Sequence, residues 1–300
     1  MEVFNISRLQ EFQNCEQKYA HRFVSNLAPK WDGVPRPLGS AYHEFVGALY
    51  KGKKKADAGE LARTSYWKEI PLDWKERGEK VERDVIKGQT QLEYLIAEYP
   101  WKVEPIEDVI SVEKELTWEV EEGVALRFRV DLLVRQNGLL WMRDTKTTSD
   151  DVVKVARQHR LRNQYVGYAA GVEEVLGEKL AGVMLDFAKK PRVNFKKVGA
   201  EISSVSKDLE GRACGFHREP IHKTPEQLEE FRVWFHKLRI GVWDATYQKS
   251  FLKNSDHCGA YNRTCPFLDL CLRPDWGAGL KELYDVREAD YVDREGGEED

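Results

Sequence analysis

The sequence predicts an α/β protein, and three observations carry that prediction. Leu126, Phe128, Val130, Leu132 and Val134 alternate with Arg127, Arg129, Asp131 and Leu133, the period of a strand with two unlike faces. Asn137-Gly138 separates this run from a second apolar run, Leu139 to Lys146, and Asn-Gly is the strongest short-range hairpin signal because a type I′ turn needs positive φ at both central residues. Segments of helical period precede and follow the hairpin, and a further apolar strand is expected from Leu180 to Phe187.

The hairpin is the organising element. With Asn137-Gly138 as the turn, Gln136 faces Leu139, which sets Asp131 opposite Asp144 and Arg129 opposite Lys146. Like charges directly opposed destabilise a hairpin. A chain that keeps them holds a cation between them or leaves one carboxyl protonated. Removing either aspartate is then expected to relieve a clash and to leave the metal-free protein as stable or slightly more so. The plainer alternative is an exposed strand face whose Asp and Lys simply meet water.

The remaining elements follow in order. Asn5 or Ser7 caps a helix that turns Leu9, Phe12, Tyr19 and Phe23 inward, with Cys15 near the same face. A loop containing Pro35-Arg-Pro leads to a helix from Gly39, with His43 one turn inside it. Residues 57 to 99 read as helical, with Leu92, Leu95 and Ile96 as the apolar stripe and Tyr99-Pro100 as the stop. A strand from Val109 to Val120 contains Glu113, a possible further acidic member of the hairpin's charged group, and a helix from about Gln158 to Leu176 places Gln164 and Tyr168 on one face. Cys214 falls in a segment of strand character, where it reads as packing. Thr224-Pro225 opens a long helix to Tyr247. Residues 286–300, rich in Asp, Glu, Arg and Gly, are expected to be an acidic disordered tail behind a single domain over 1–285.

Bulk properties narrow the function classes. At 300 residues, 41% of them apolar, the chain can bury a sizeable core. A net charge of -4 gives no global attraction to nucleic acid, so a polyanion would have to meet local basic runs: Lys51 to Lys55, Arg157 to Arg162, or Lys189 to Lys197. The N-terminal residues lack a signal-peptide pattern and no apolar run approaches membrane-spanning length, so a cytoplasmic protein without a membrane partner is expected.

Cys258, Cys265 and Cys271 are separated by six and then five residues, and three local thiols need a fourth ligand from elsewhere, for which Cys15 is the better candidate. Short C-x-x-C pairs favour structural zinc. A loose C-terminal trio completed by a distant N-terminal cysteine suits a larger cluster that staples the chain ends.

In this order, Gly39-x-x-x-His43, Asp131, Asp144-x-Lys146 and Gln164-x-x-x-Tyr168 resemble the RecB-like branch of the PD-(D/E)XK nuclease superfamily. One N-terminal and three C-terminal cysteines make the chain similar to the iron-sulfur exonucleases of that branch, among them the CRISPR-adaptation nuclease, the AddB-type nuclease domain and phage exonucleases. The resemblance runs from Ser7 to Cys271, and the six-residue gap between Cys258 and Cys265 looks more like the phage and recombination type.

It implies a restriction-endonuclease-like core, a mixed central sheet flanked by helices, with the helical N-terminal and cysteine-rich C-terminal segments joined by a 4Fe-4S cluster on Cys15, Cys258, Cys265 and Cys271. It implies Mg²⁺ or Mn²⁺ on His43, Asp131, Asp144 and the Thr145 carbonyl, chemistry that suits hard oxygen ligands plus an imidazole. Lys146 would act beside the scissile phosphate, and Gln164 and Tyr168 would orient DNA or the lysine. The activity implied is exonuclease action on single-stranded DNA or duplex ends in phage or bacterial recombination, repair or processing. The alternatives are a CRISPR adaptation nuclease working with partner proteins and a non-catalytic iron-sulfur DNA-binding subunit of a recombination complex. The intact Asp131, Asp144 and Lys146 argue against the latter.

Overall fold

The computed structural model describes residues 2–30, 33, 35–100, 108–208, 211–259, 264–273 and 283–287. In chain order the elements are β1 (Glu2–Phe4), α1 (Ile6–Asn14), α2 (Glu16–Tyr19), β2 (Leu27–Pro29), α3 (Pro35–Tyr50), α4 (Lys55–Lys68), α5 (Glu79–Glu98), β3 (Asp108–Glu121), β4 (Val124–Gln136) and β5 (Leu139–Thr148). There follow α6 (Val152–His159), α7 (Asn163–Leu176), β6 (Leu180–Lys189), β7 (Val193–Phe195), β8 (Ile202–Val205), β9 (Gly215–Ile221), α8 (Pro225–Gln248), α9 (Leu268–Leu272) and β10 (Tyr284–Val286). Six strands form the central sheet in the order β1-β4-β5-β6-β9, with β3 beside β4. It is mixed: β1 runs parallel to β4 and β5 to β6, whereas β4 to β5 and β6 to β9 are antiparallel. An α/β fold with a mixed central sheet flanked by helices is thus the architecture, consistent with a restriction-endonuclease-like core.

The described residues group into two compact units. The larger comprises residues 33–116 and 129–223, and the smaller 1–32, 117–128 and 224–300. In the larger unit the hairpin has the expected register, from Gln136 opposite Leu139 to Leu132 opposite Arg143. Its turn has φ of 54° at Asn137 and 71° at Gly138, the left-handed pair that a type I′ turn demands. β5 is buried on both faces because β4 and β6 flank it and helices of this unit cover the sheet, so its charged residues need internal partners. Arg143 finds them on one face, donating to the Tyr50 hydroxyl at 3.1 Å and to Gln136 Oε1 at 2.9 Å.

Several boundaries differ from expectation. The helix expected over 57–99 is two, α4 and α5, because Pro71 and Gly78 interrupt it. The helix expected from Gln158 starts only at Asn163, as α7, because the chain breaks at 160–162, and a separate α6, capped by Asp151 through the Lys154 amide, precedes that break. Helix α3 starts at Pro35, in what the sequence read as loop, since proline suits the first helical turn.

In the smaller unit Asn5 caps α1 through the Arg8 amide at 2.7 Å, but the helix breaks at Cys15, whose extended backbone separates α1 from α2. Thr224 and Gln227 form a capping box at the start of α8. β10 pairs with β2, and Phe267, Leu270 and Tyr284 pack into a small apolar cluster with Leu27 and Cys265. Val286, the first residue of the expected tail, belongs to β10, and residues 288–300 lie outside the described residues.

Candidate nuclease centre

The hairpin register delivers Asp131 and Asp144 just beyond the last paired residues. Asp131 Oδ2 accepts the Thr145 amide at 2.8 Å and lies 3.2 Å from His43 Nδ1, which α3 brings to the sheet. Lys146 Nζ grips Asp144, 2.9 Å from Oδ1 and 2.8 Å from Oδ2. The two carboxyls thus acquire different partners, and their chemistry diverges. Burial disfavours the Asp131 charge, but His43, Lys146 and the Thr145 amide outweigh it and hold Asp131 at about 2. At Asp144 burial and the neighbouring Asp131 charge prevail over Lys146, and its pKa rises. Neighbouring like charges separate in this way, one carboxyl held below its usual range and the other pushed above it. The same field keeps Lys146 charged against burial and raises His43.

The ligating atoms that come together, all within 4.8 Å of one another, belong to His43, Asp131 and Glu113. Glu113 stands on β3 with φ of 54°, a left-handed conformation unusual for a non-glycine residue and typical of strain at functional sites. Its Oε2 is buried without a hydrogen bond; Arg129 Nε lies 2.9 Å away but is misdirected. Burial, and then the Asp131 charge, raise the Glu113 pKa against the lowering charges of Arg129, His43 and Lys51. Asp144 is not in this triad, because its oxygens face Lys146. An oxygen-rich set with one imidazole, holding an unsatisfied buried carboxylate oxygen, fits a hard divalent cation such as Mg²⁺ or Mn²⁺.

Gln164 and Tyr168 share one face of α7. They are hydrogen-bonded to each other, and Tyr168 feels the charges of Lys146, Asp144 and Asp131 while burial pushes its hydroxyl up to about 12. Sequence reasoning assigned no role to Tyr165 and His159, which also adjoin the centre. Their signal, a histidine and a tyrosine six residues apart across a helix break, becomes meaningful only once that break is known.

All five cysteines are free thiols. Cys265 and Cys271 are raised chiefly by burial, and each also feels the charges of the other thiols among Cys15, Cys258, Cys265 and Cys271. The Cys265 amide donates to the Cys258 carbonyl at 2.7 Å, and Cys271 Sγ lies 3.7 Å from His21 Nε2. Among the described residues no three of these thiols gather within 4.8 Å, whereas tetrahedral zinc with 2.3 Å bonds needs sulfurs about 3.8 Å apart. Cys214 lies elsewhere, buried just before β9, where its amide donates to Glu98 at 2.8 Å.

Residues 3–272 match the family model of the PD-(D/E)XK nuclease superfamily, and the chain belongs to that superfamily. Membership makes it a nuclease of a metal-dependent class. No curated protein matches the chain. A solved structure from Eubacterium rectale, which carries the provisional name of exonuclease, aligns over 91% of this chain and 88% of its own at 15% identity, with a TM-score of 0.49. A likeness at that level carries no argument about function. No helix among the described residues is long and apolar enough to cross a membrane.

Proposed function

We propose that the chain is a divalent-metal-dependent DNA exonuclease of the RecB-like iron-sulfur branch, acting in the cytoplasm on single strands or duplex ends. The observation that carries the reading is the unequal pair of carboxyls. Asp131 is ionised and surrounded by His43 and Glu113, while Asp144 is tied to a charged Lys146. His43, Asp131, Asp144 and the Thr145 carbonyl are assigned to Mg²⁺ or Mn²⁺, with Glu113 added because its ligating oxygen gathers with those of His43 and Asp131. A bound divalent ion would supply an activated water and neutralise charge on the scissile phosphate.

The chain's own residues do the rest. Lys146, released from one Asp144 oxygen, positions the attacking water and opposes the negative charge that builds on the phosphorus oxygens. Gln164 and Tyr168 orient the DNA strand or the lysine. Thr145 directs Asp131 through its amide, so its place in the site comes from backbone geometry rather than from its side chain.

The 4Fe-4S assignment to Cys15, Cys258, Cys265 and Cys271 rests on the spacing of these cysteines along the chain and on the charges of Cys15, Cys258 and Cys265 reaching Cys271. Residues 1–285 are read as one nuclease domain because β3 and β4 each run through both compact units, so neither unit is a continuous piece of chain. The loose cysteine spacing favours a phage or recombination role over CRISPR adaptation. Cleavage of end-labelled single- and double-stranded DNA in Mn²⁺, Mg²⁺ or EDTA tests the activity. Mononucleotide release that EDTA abolishes is the expected result, and an inert protein in both metals overturns it.

A further inference from the structure

Two buried residues beside the charged centre take no part in the reading above. Tyr165, on the first turn of α7, is 1% exposed, and His159, the last residue of α6, is 5% exposed. His159 Nδ1 lies 2.8 Å from the Tyr165 hydroxyl, and that hydroxyl donates to Asp144 Oδ2 across 3.4 Å. The imidazole stacks on the Tyr165 ring at 5.7 Å and meets Phe187 edge-on at 5.2 Å, so both rings are held by packing.

The proton count gives this chain a direction. A tyrosine hydroxyl has one proton, and if that proton points at Asp144 the oxygen can only accept from His159, which requires the Nδ1–H tautomer. Burial, then the positive charges of Arg162 and Lys146, push His159 down to about 4, so the ring is neutral near neutral pH. The general need to satisfy buried polar groups accounts for a histidine-tyrosine pair. It does not account for the pair ending on the one carboxyl that Lys146 grips.

We propose that Tyr165 and His159 are positioning residues for Asp144: His159 sets the direction of the Tyr165 hydroxyl, and the hydroxyl holds one Asp144 oxygen so that the carboxylate meets Lys146 in a single orientation. The proposal rests on the nuclease reading of that site. At 3.4 Å the bond is long for O–H···O, and such bonds in substrate-free sites commonly tighten in the working complex. Partners of this kind, one shell behind a metal ligand, are typically worth about 10- to 100-fold in metal affinity or activity.

The test uses the full chain with Tyr165→Phe, His159→Phe and the double variant, checked by thermal melting. Tyr165→Phe is expected to lower kcat about 10- to 100-fold with KM for DNA unchanged, and to weaken Mn²⁺ binding, read by electron paramagnetic resonance, by about tenfold. Because His159 acts through Tyr165, the double variant should be no worse than Tyr165→Phe. In metal-free protein, nitrogen-15 NMR should find His159 protonated on Nδ1, and Tyr165→Phe should shift it toward Nε2. Additive losses in kcat, Mn²⁺ affinity of Tyr165→Phe within twofold of wild type, or an Nε2–H tautomer in the wild type would each overturn the proposal. The tautomer and Mn²⁺ measurements need no cleavage, so a wild-type protein inert on DNA sinks the nuclease reading while they still decide this one.

Discussion

The two candidate centres differ in how much of their order exists before any cofactor arrives. In the larger unit, Asp131, His43, Asp144 and Lys146 already neutralise one another through ion pairs of 2.8 to 3.2 Å. In the smaller unit, the four thiols share a neighbourhood, and two of them are buried enough to resist ionisation. The difference follows from ligand chemistry. Carboxylates, imidazole and ammonium can satisfy each other, whereas thiols become ligands only on losing their protons and have little to offer one another before that. Under the proposed assignments the hard centre is therefore expected to keep its order without a metal, and the soft centre to depend on the proposed cluster.

The largest effects should separate the centres by function. Lys146→Ala is expected to lower DNA cleavage about 10³-fold or more while leaving Mn²⁺ binding in place, because a lysine is a charge stabiliser and not a ligand. Retained cleavage would move the active site elsewhere. Cys258→Ala should instead bleach anaerobically purified brown protein, lose iron and sulfide, and lower the melting temperature of the smaller unit. Cys214→Ala should keep the colour and cost about 1 kcal/mol, the usual scale for a small change in packing. Colourless wild-type protein carrying one zinc would overturn the cluster and leave the nuclease standing.

Next in size is the stability of the hard centre without metal. From the hairpin register alone, removing Asp144 relieves a like-charge clash and leaves the protein as stable or more so. Against that relief stands Lys146: burial and Asp131 disfavour the Asp144 charge, but Asp144 is the first of the charges that keep the half-buried ammonium protonated, and stranding that ammonium is the larger loss. Asp144→Ala is expected to lose roughly 1–3 kcal/mol in urea unfolding, the full buried-pair cost being reduced by the lysine's partial exposure.

The histidines should give the smallest and most diagnostic signals. His159 titrates at about 4 in the fold against 6.5 unfolded, so the unfolded chain binds more protons between those values. Stability contributed by neutral His159 is present above pH 6.5 and is lost as pH falls toward 4, by up to ~3 kcal/mol. His43 runs the other way. Its pKa is raised by Asp131, so its contribution is present below pH 6.5 and is lost as pH rises through the folded value. Melting curves from pH 4 to 8 should lose the acid-side slope in His159→Phe and the neutral-side slope in His43→Ala; unchanged slopes would refute the assignments.

Much of the core could be read from the chain because its signals are local. Alternation in β4, the Asn137-Gly138 turn and the Pro225 helix start each depend on a few adjacent residues, and so the hairpin register from Gln136–Leu139 to Leu132–Arg143 could be derived before any coordinates. Helix interruptions were harder, since the breaks at Cys15 and at 160–162 lie in runs whose periodicity continues across them. What only the tertiary structure decided is which charges meet. Nothing in the strand pattern says that Asp144 turns to Lys146 rather than to Asp131, or that Arg129 approaches Glu113 without satisfying it. The Tyr165 hydroxyl reaching a strand 21 positions earlier is likewise invisible along the chain. Periodicity reports which face a side chain occupies, but charge pairing depends on distances between elements far apart in sequence, and these are set only when the core closes.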